Sequence, residues 1–236
     1  MDQTITWEQL DAYEKAFDAD RAKQVAMHAV TSCGVVKAAV NPEVFREDRH
    51  QYSISLEQGK ITNQKQSGRC WMFAALNTMR FAIMKKLDLA TFELSQNYTL
   101  FYDKLEKANY FLESILATLD EPTNGRVIAH LLMAPLNDGG QWDMFCSLIE
   151  KYGVVPKDAM PETVSSSATR EMVSYMTRKL REYACTLRTA YANGKTVEEL
   201  RALKEGMMGT VYNMLCIALG KPPKTVTLEV RNKKKE

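Results

Sequence analysis

The sequence predicts an α+β protein in which helices far outnumber strands. Apolar residues recur at helical spacing along most of the 236 residues, and residues that favour helix N-caps precede several of these runs. Two stretches instead alternate polar with apolar residues: QYSISLEQGK, which predicts a short strand or an extended arm, and TVTLEV, which predicts a strand. No internal repeat or low-complexity segment interrupts this pattern. The expected architecture is therefore a set of packed helices with little sheet.

Helix boundaries can be predicted from capping residues and glycines. Thr6 with Gln9, and Thr196 with Glu199, have the spacing of a capping box, in which a helix begins just after the threonine. In the first half of the chain we expect helices over about 7–18, through RAKQVAMHAVTSC to Gly34, and over about 70–89. Further helices are expected over 96–119 after Ser95, over 125–134 after Asn124, and in GGQWDMFCSLIEKYG, which ends at Gly153. The last two are expected within 168–194 and from 197 to Gly220. The last two should pair as a helical hairpin, after a proline-containing connector over 154–163.

Composition excludes several classes of protein. Lys plus Arg is 31 and Asp plus Glu is 29, so the net charge of +2 does not indicate a nucleic-acid-binding surface, and the RNKKKE end is interpreted as a solvated tail. No stretch approaches the ~18 apolar residues that cross a bilayer, and the charged N-terminus does not resemble a signal peptide. We expect a cytoplasmic protein with no membrane partner.

Five cysteines, an odd number without CxxC spacing, argue against a disulfide framework and against a zinc site. They are Cys33, Cys70, Cys146, Cys185 and Cys216. We expect reduced thiols, no metal and no cofactor.

Cys70 stands where a polar, turn-forming run meets a helical one, in TNQKQSGRCWMFAALNTMR. A thiol reacts as the thiolate, and the unpaired N–H groups at a helix N-terminus favour that anion. Gln64, six residues earlier, could supply a side-chain amide for the oxyanion of an acyl-transfer reaction, with the Cys70 N–H as second donor. The alternative is a small buried cysteine at a helix start.

Three ordered motifs carry a resemblance to a known family. The segment TNQKQSGRCWMFAALN resembles the active-site segment of papain-like cysteine peptidases, in the form found in the bleomycin hydrolase and aminopeptidase C branch. ELSQNY is similar to that family's Leu-Ser helix entry, and NDGGQWDM resembles its Gly-Gly substrate-binding turn. The resemblance covers essentially the whole chain.

The resemblance implies roles for these residues. Cys70 would be the nucleophile and Gln64 the oxyanion-hole donor, while Asp138, Gly139 and Gly140 would bind peptide substrates along a main-chain edge. Glycines suit that edge because an extended peptide can approach a backbone without Cβ atoms. Trp71 and Trp142 are interpreted as packing residues.

The resemblance also implies an organisation. We expect a papain-like α+β fold with an N-terminal helical arm and extended segment over 1–60, a helical domain with the nucleophile over 61–155, a helical insertion over 156–222, and the start of a β-rich half over 223–236. In this branch the insertion takes part in assembling a hexamer, so a homo-oligomer is expected.

A papain-like enzyme needs a histidine base and an orienting asparagine far downstream of its cysteine. No histidine follows His130, which lies in an amphipathic helical run and is interpreted as structural, and nothing around His28 or His50 indicates catalysis. We therefore expect the N-terminal part of a longer peptidase, truncated before most of its barrel half and inactive alone. The alternative is a non-catalytic binding or assembly module derived from such a peptidase.

Overall fold

The structure is a computed structural model that describes residues 4–47, 51–56 and 58–234. The chain divides into two compact units, residues 1–56 and residues 57–236.

The first unit consists of short helices: α1 (Trp7–Asp18), α2 (Arg21–Cys33), α3 (Val35–Ala38) and α4 (Pro42–Glu47). The predicted capping box of Thr6 and Gln9 opens α1, and Gly34, with φ of +83°, ends α2 as predicted. None of the residues in these four helices is buried within the described chain.

The second unit carries the core. Its described residues form α5 (Cys70–Lys86), α6 (Gln96–Ala117), α7 (Arg126–Met133), α8 (Trp142–Tyr152), a 3₁₀ turn (Lys157–Ala159), α9 (Val164–Ser167), α10 (Arg170–Ala192) and α11 (Val197–Leu219). Helix α6 lies at the centre, since α5, α7, α8, α10 and α11 all contact it. The predicted hairpin of α10 and α11 forms, and its second helix begins at the predicted capping box of Thr196 and Glu199.

One continuous apolar core joins α6 to the hairpin. Phe101, Leu112 and Ile115 of α6 are fully buried, as are Leu187 of α10 and Leu215 of α11. Burying a side chain of this size stabilises the folded state by roughly 1.5–3 kcal/mol. The hairpin therefore contributes to the same hydrophobic core as α6.

The strand predicted at TVTLEV is wrong, and of the two predictions for QYSISLEQGK, a short strand or an extended arm, the strand is wrong for the described residues. Residues 51–56 and 58–60, and residues 225–230, adopt irregular structure, and the only β-pairs described are isolated bridges between Gln66 and Ala168 and between Leu94 and Pro156. A period-two pattern makes a strand only where another strand completes the hydrogen-bond ladder. The predicted Asn124 cap is also wrong, because α7 begins after Gly125 with no side-chain cap.

No helix in the described ranges is both long enough and apolar enough to cross a membrane.

Candidate functional site

Cys70 is the first residue of α5 and is exposed. Arg69 occupies the N-cap position without a side-chain hydrogen bond to the helix, and its carbonyl accepts from the Phe73 N–H at 2.9 Å. No side chain therefore caps the first turn, and the thiol lies at the positive end of a 17-residue helix.

The residues before Cys70 form what we call the nucleophile turn, residues 62–69. Lys65 has φ of +55°, and its N–H donates to the Asn63 side chain at 2.7 Å. The Ser67 hydroxyl donates to the Gln64 carbonyl at 2.6 Å, which closes the turn on itself. Within the described residues the Gln64 Oε1 is buried without a partner and its Nε2 donates no hydrogen bond. The Gln64 amide is thus uncommitted.

Arg69 anchors the nucleophile turn to the segment before α9. Its side chain is 2% exposed, and both terminal nitrogens donate to the Glu162 carboxylate at 2.8 Å. Its Nε donates to Ser67 Oγ at 2.8 Å. Burial raises the pKa of Glu162, but hydrogen bonds from Arg69 and Ser166 and the Arg69 charge outweigh burial, so this pKa is lowered. Glu162 is therefore ionised at neutral pH.

The ELSQNY motif, residues 93–98, binds the end of the 154–163 connector that carries Glu162. Ser95 caps α6 by accepting from the Tyr98 N–H, as predicted, and its hydroxyl also donates to the Met160 carbonyl at 2.5 Å. The Asn97 amide donates to the carbonyls of Pro161, at 2.7 Å, and Leu219, at 2.8 Å. This motif therefore fixes the chain immediately before Glu162.

A second turn, the glycine turn of residues 137–140, lies directly against the nucleophile turn. The Gly139 N–H donates to the Gly68 carbonyl at 3.3 Å, and a Cβ on Gly68 would lie 2.3 Å from the Cβ of Asp138. Gly139 has φ of +89°, which favours glycine. The structure therefore brings together two motifs that are about 70 residues apart in the sequence.

The two glycines differ in their free hydrogen-bonding groups. Both main-chain groups of Gly139 are used, because its carbonyl also accepts from Lys107 at 2.7 Å. The main chain of Gly140 makes no hydrogen bond to any residue that the structure describes. Trp71 covers one side of Gly140, since a Cβ there would lie 2.8 Å from the indole. Gly140 therefore keeps a main-chain N–H and C=O without partners among the described residues.

Two buried lysines of α6 bind the glycine turn, and a buried aspartate of the same helix pairs with them. Lys104, Lys107 and Asp103 are 1%, 9% and 3% exposed. Lys104 donates to the Asn137 carbonyl at 3.2 Å and to the Asp138 carboxylate at 3.1 Å, while Lys107 donates to Asn137, Gly139 and Asp103.

Burial lowers the pKa of Lys107, and the charge of Asp103 opposes that change. The sequence prediction missed these three residues. Their signal is the DKLEK charge pattern inside an otherwise apolar helical run.

A pocket of about 190 Å³ opens beside Gly140, between Trp71 and Trp142. Trp71 is partly buried and packs as predicted. Trp142 is 63% exposed, so its interpretation as a packing residue is wrong. The pocket is next to the free main chain of Gly140 and is lined by aromatic rings, which suits an apolar side chain.

Two of the three histidines lie within the described residues. His130 is exposed on α7 and lines a cavity of about 650 Å³ between α6, α7 and α8, which includes neither Cys70 nor Gln64. His28 is exposed on α2, and His50 lies outside the described residues. No group of three or more potential metal ligands occurs in the described ranges.

Comparison with known proteins gives consistent results. A family model described as the peptidase C1-like family matches residues 4–236. Aminopeptidase C of Listeria monocytogenes is 44% identical over 236 residues, which is 100% of this chain and 53% of that protein. Human bleomycin hydrolase is 39% identical over 232 residues, which is 97% of this chain and 51% of that protein.

The crystal structure of PepW from Lactobacillus rhamnosis superposes with a TM-score of 0.96 at 44% identity, over 100% of this chain and 53% of that one. The chain thus spans about half the length of the relatives it matches.

Proposed function

The chain belongs to the peptidase C1-like family, and we propose that it is the N-terminal part of a cysteine aminopeptidase that hydrolyses peptides through an acyl-enzyme on Cys70. One observation carries the proposal. Cys70 is exposed at an uncapped helix N-terminus, and the nucleophile turn that leads to it contacts the glycine turn at Gly68.

Each residue has a step in the proposed reaction. The Cys70 thiolate attacks the scissile carbonyl carbon, and the negative charge that develops on the carbonyl oxygen is stabilised by the Cys70 N–H and the Gln64 amide. The C–N bond then breaks, the amine leaves with a proton from the general acid, and water hydrolyses the thioester. Gly140, with Gly139 and Asp138 shaping its turn, pairs with the main chain of the peptide.

The proposed reaction also needs a general acid and a general base. The three histidines of the chain are at 28, 50 and 130, and the cavity that His130 lines excludes Cys70. A general base contributes roughly 10²–10⁴-fold. We therefore infer that the 236-residue polypeptide alone does not turn over, and that a complementary half supplies the base.

Location and assembly follow as parts of the same proposal. All five cysteines are free thiols, which suits a reducing cytoplasm. Tyr175, Leu203 and Ile217 of the hairpin are 65%, 39% and 87% exposed, and such apolar residues suit self-association into a homo-oligomer.

The experiment compares the chain alone with the chain fused to the C-terminal half of Listeria monocytogenes aminopeptidase C. Without that half, we expect iodoacetamide to label Cys70 slowly, faster as the pH rises because thiolate is the reacting form, with no hydrolysis of aminoacyl fluorogenic substrates. The fusion should label quickly and hydrolyse. Light scattering on both preparations measures association.

Cys70→Ala should abolish hydrolysis by the fusion, whereas Cys185→Ala, at an exposed cysteine of α10, should leave it unchanged. A folded fusion without activity would favour a binding or assembly module. Cys70-dependent turnover by the 236-residue chain alone would show that one of its own histidines is the base.

A further inference from the structure

The connector that follows α8 reaches the nucleophile turn at Glu162, through its bidentate ion pair with Arg69. Arg69 is the residue immediately before Cys70 and is the N-cap of α5. A planar guanidinium held at two nitrogens by a carboxylate has a fixed orientation as well as a fixed position. The ion pair therefore constrains the start of the helix that carries the thiol.

The constraint extends to the other end of the turn. Arg69 Nε donates to Ser67 Oγ, and Ser67 in turn donates to the Gln64 carbonyl. One chain of hydrogen bonds thus runs from Glu162 through Arg69 and Ser67 to Gln64. It links Gln64 to Arg69, the residue immediately before Cys70, and so connects Glu162 indirectly to both residues that would supply the oxyanion donors.

The Glu162 carboxylate has a second partner besides Arg69. The fully buried Ser166 donates to Glu162 Oε2 at 2.7 Å. Thr163, next in the chain, caps α9 and donates to the Ala218 carbonyl at the end of α11 at 3.0 Å. The carboxylate is therefore fixed against the end of the hairpin.

We propose that Glu162 is a positioning residue of the peptidase site, which keeps the Cys70 N–H and the Gln64 amide in register through Arg69 and Ser67. This role rests on the proposed function. It couples the 156–222 segment to the chemistry at Cys70, since a shift of the connector would pass through the ion pair to the nucleophile turn.

Hydrogen exchange measured on the 236-residue chain tests the anchor. The Gln66 N–H donates to the Ser167 carbonyl and the Phe73 N–H to the Arg69 carbonyl, both at 2.9 Å, so both amides report on the turn. Glu162→Gln should accelerate their exchange by about fivefold, because a neutral amide cannot form the charged bidentate pair that holds Arg69. Amides of α6 should be unchanged.

Glu93→Gln is the matched control. Glu93 pairs with Lys157 of the same connector at 2.7 Å but does not touch the nucleophile turn. The Glu93→Gln variant should leave the exchange rates of the Gln66 and Phe73 amides at their wild-type values. If Glu162→Gln unfolds the chain, Ser67→Ala, which leaves the ion pair intact, must still loosen the turn selectively. Unchanged exchange, or faster exchange throughout α6, α10 and α11, would overturn the proposal.

Kinetics of the fusion separate positioning from stability. A nucleophile displaced by about 1 Å can lose roughly 100-fold in rate. Glu162→Gln should therefore lower kcat by about 10–100-fold with KM within about threefold, and Glu162→Asp should recover part of the loss. Wild-type kcat in Glu162→Gln would overturn the positioning role alone. An inactive wild-type fusion would overturn the proposed function, and this role with it.

Discussion

The nucleophile turn and the glycine turn touch at Gly68, yet they are held in place by different means. The nucleophile turn is anchored through side chains, with Arg69 bound to Glu162 and to Ser67. The glycine turn is held mainly by its main chain, because Lys104 and Lys107 donate to its carbonyls, and Asp138 adds one side-chain pair with Lys104.

The two modes of anchoring reflect which groups of each turn are left free. A glycine turn has few side chains that could form an anchor, so cations from the helix beneath must bind its carbonyls, and its outer edge stays open. The nucleophile turn must keep backbone donors and a side-chain amide available, and a single arginine fixes it without using them. Loss of the lysine anchor should destabilise the fold more than loss of the Arg69 anchor, because it leaves the buried Asp103 carboxylate with one partner fewer.

The largest expected effect comes from Lys107→Met, which keeps the length of the side chain but removes the charge. It takes one donor from the Asn137 and Gly139 carbonyls and from Asp103. We expect the free energy of unfolding to fall by about 3–5 kcal/mol, the range for breaking a buried ion pair. Urea titration followed by tryptophan fluorescence measures it.

Lys151→Met is the control for a lysine in an exposed pair. Lys151 is 63% exposed and binds Glu106 at 2.6 Å, so its loss should change stability by about 1 kcal/mol or less. Equal losses for the two variants would contradict the distinction between a buried main-chain anchor and a surface ion pair.

A smaller effect is expected where the two turns meet. A Cβ at Gly68 would overlap the Asp138 side chain at 2.3 Å, so Gly68→Ala must push the turns apart. We expect a loss of about 1–3 kcal/mol, typical of overpacking, seen as a lower melting temperature. Gly206→Ala, in α11 with no atom within 4 Å of the new methyl, should instead stabilise by roughly 0.5–1 kcal/mol. A Gly68→Ala protein that melts with the wild type would show that the contact is loose.

Sequence reasoning succeeded where the signal is local. The caps at Thr6, Ser95 and Thr196 were predicted because a capping residue and its helix are adjacent in the chain, and Cys70 was expected at a helix start for the same reason. The adjacency of Cys70 and the glycine turn followed only from a family resemblance.

The anchors could not be predicted in this way. Arg69 and Glu162 are separated by 93 residues, and nothing in the neighbourhood of either indicates the other. The DKLEK pattern of α6 marks charges inside an apolar helical run, but it does not identify the glycine turn as the partner of the lysines. The strand prediction at TVTLEV failed for a related reason. Alternation describes a single segment, and a strand also needs a second strand to complete its hydrogen-bond ladder. In each case the structure depends on a partner that is distant in the sequence.

The smallest expected effect is a pH dependence that belongs to the nucleophile turn. The pKa of Glu162 is lowered from its ordinary value of 4.5, since burial, which raises it, is outweighed by the Arg69 and Ser166 hydrogen bonds and by the charges of Arg69 and Lys157. A carboxyl group whose pKa is lower in the folded state stabilises that state above its unfolded pKa, and this contribution is lost as the pH falls through the folded pKa. The stability difference between wild type and Glu162→Gln should therefore be constant from pH 7 to about 5 and shrink below about 4.5, because glutamine resembles the protonated acid.

The pH-linked part should be about 1 kcal/mol or less, since the Glu162 side chain is 24% exposed and solvent screens it. Melting temperatures of both proteins from pH 7 to 3 measure it, and the other carboxyl groups cancel in the difference. A difference that stays constant down to pH 3, or grows as the pH falls, would show that the Glu162 charge does not hold the nucleophile turn. The anchor would then depend on the shape of the side chain alone.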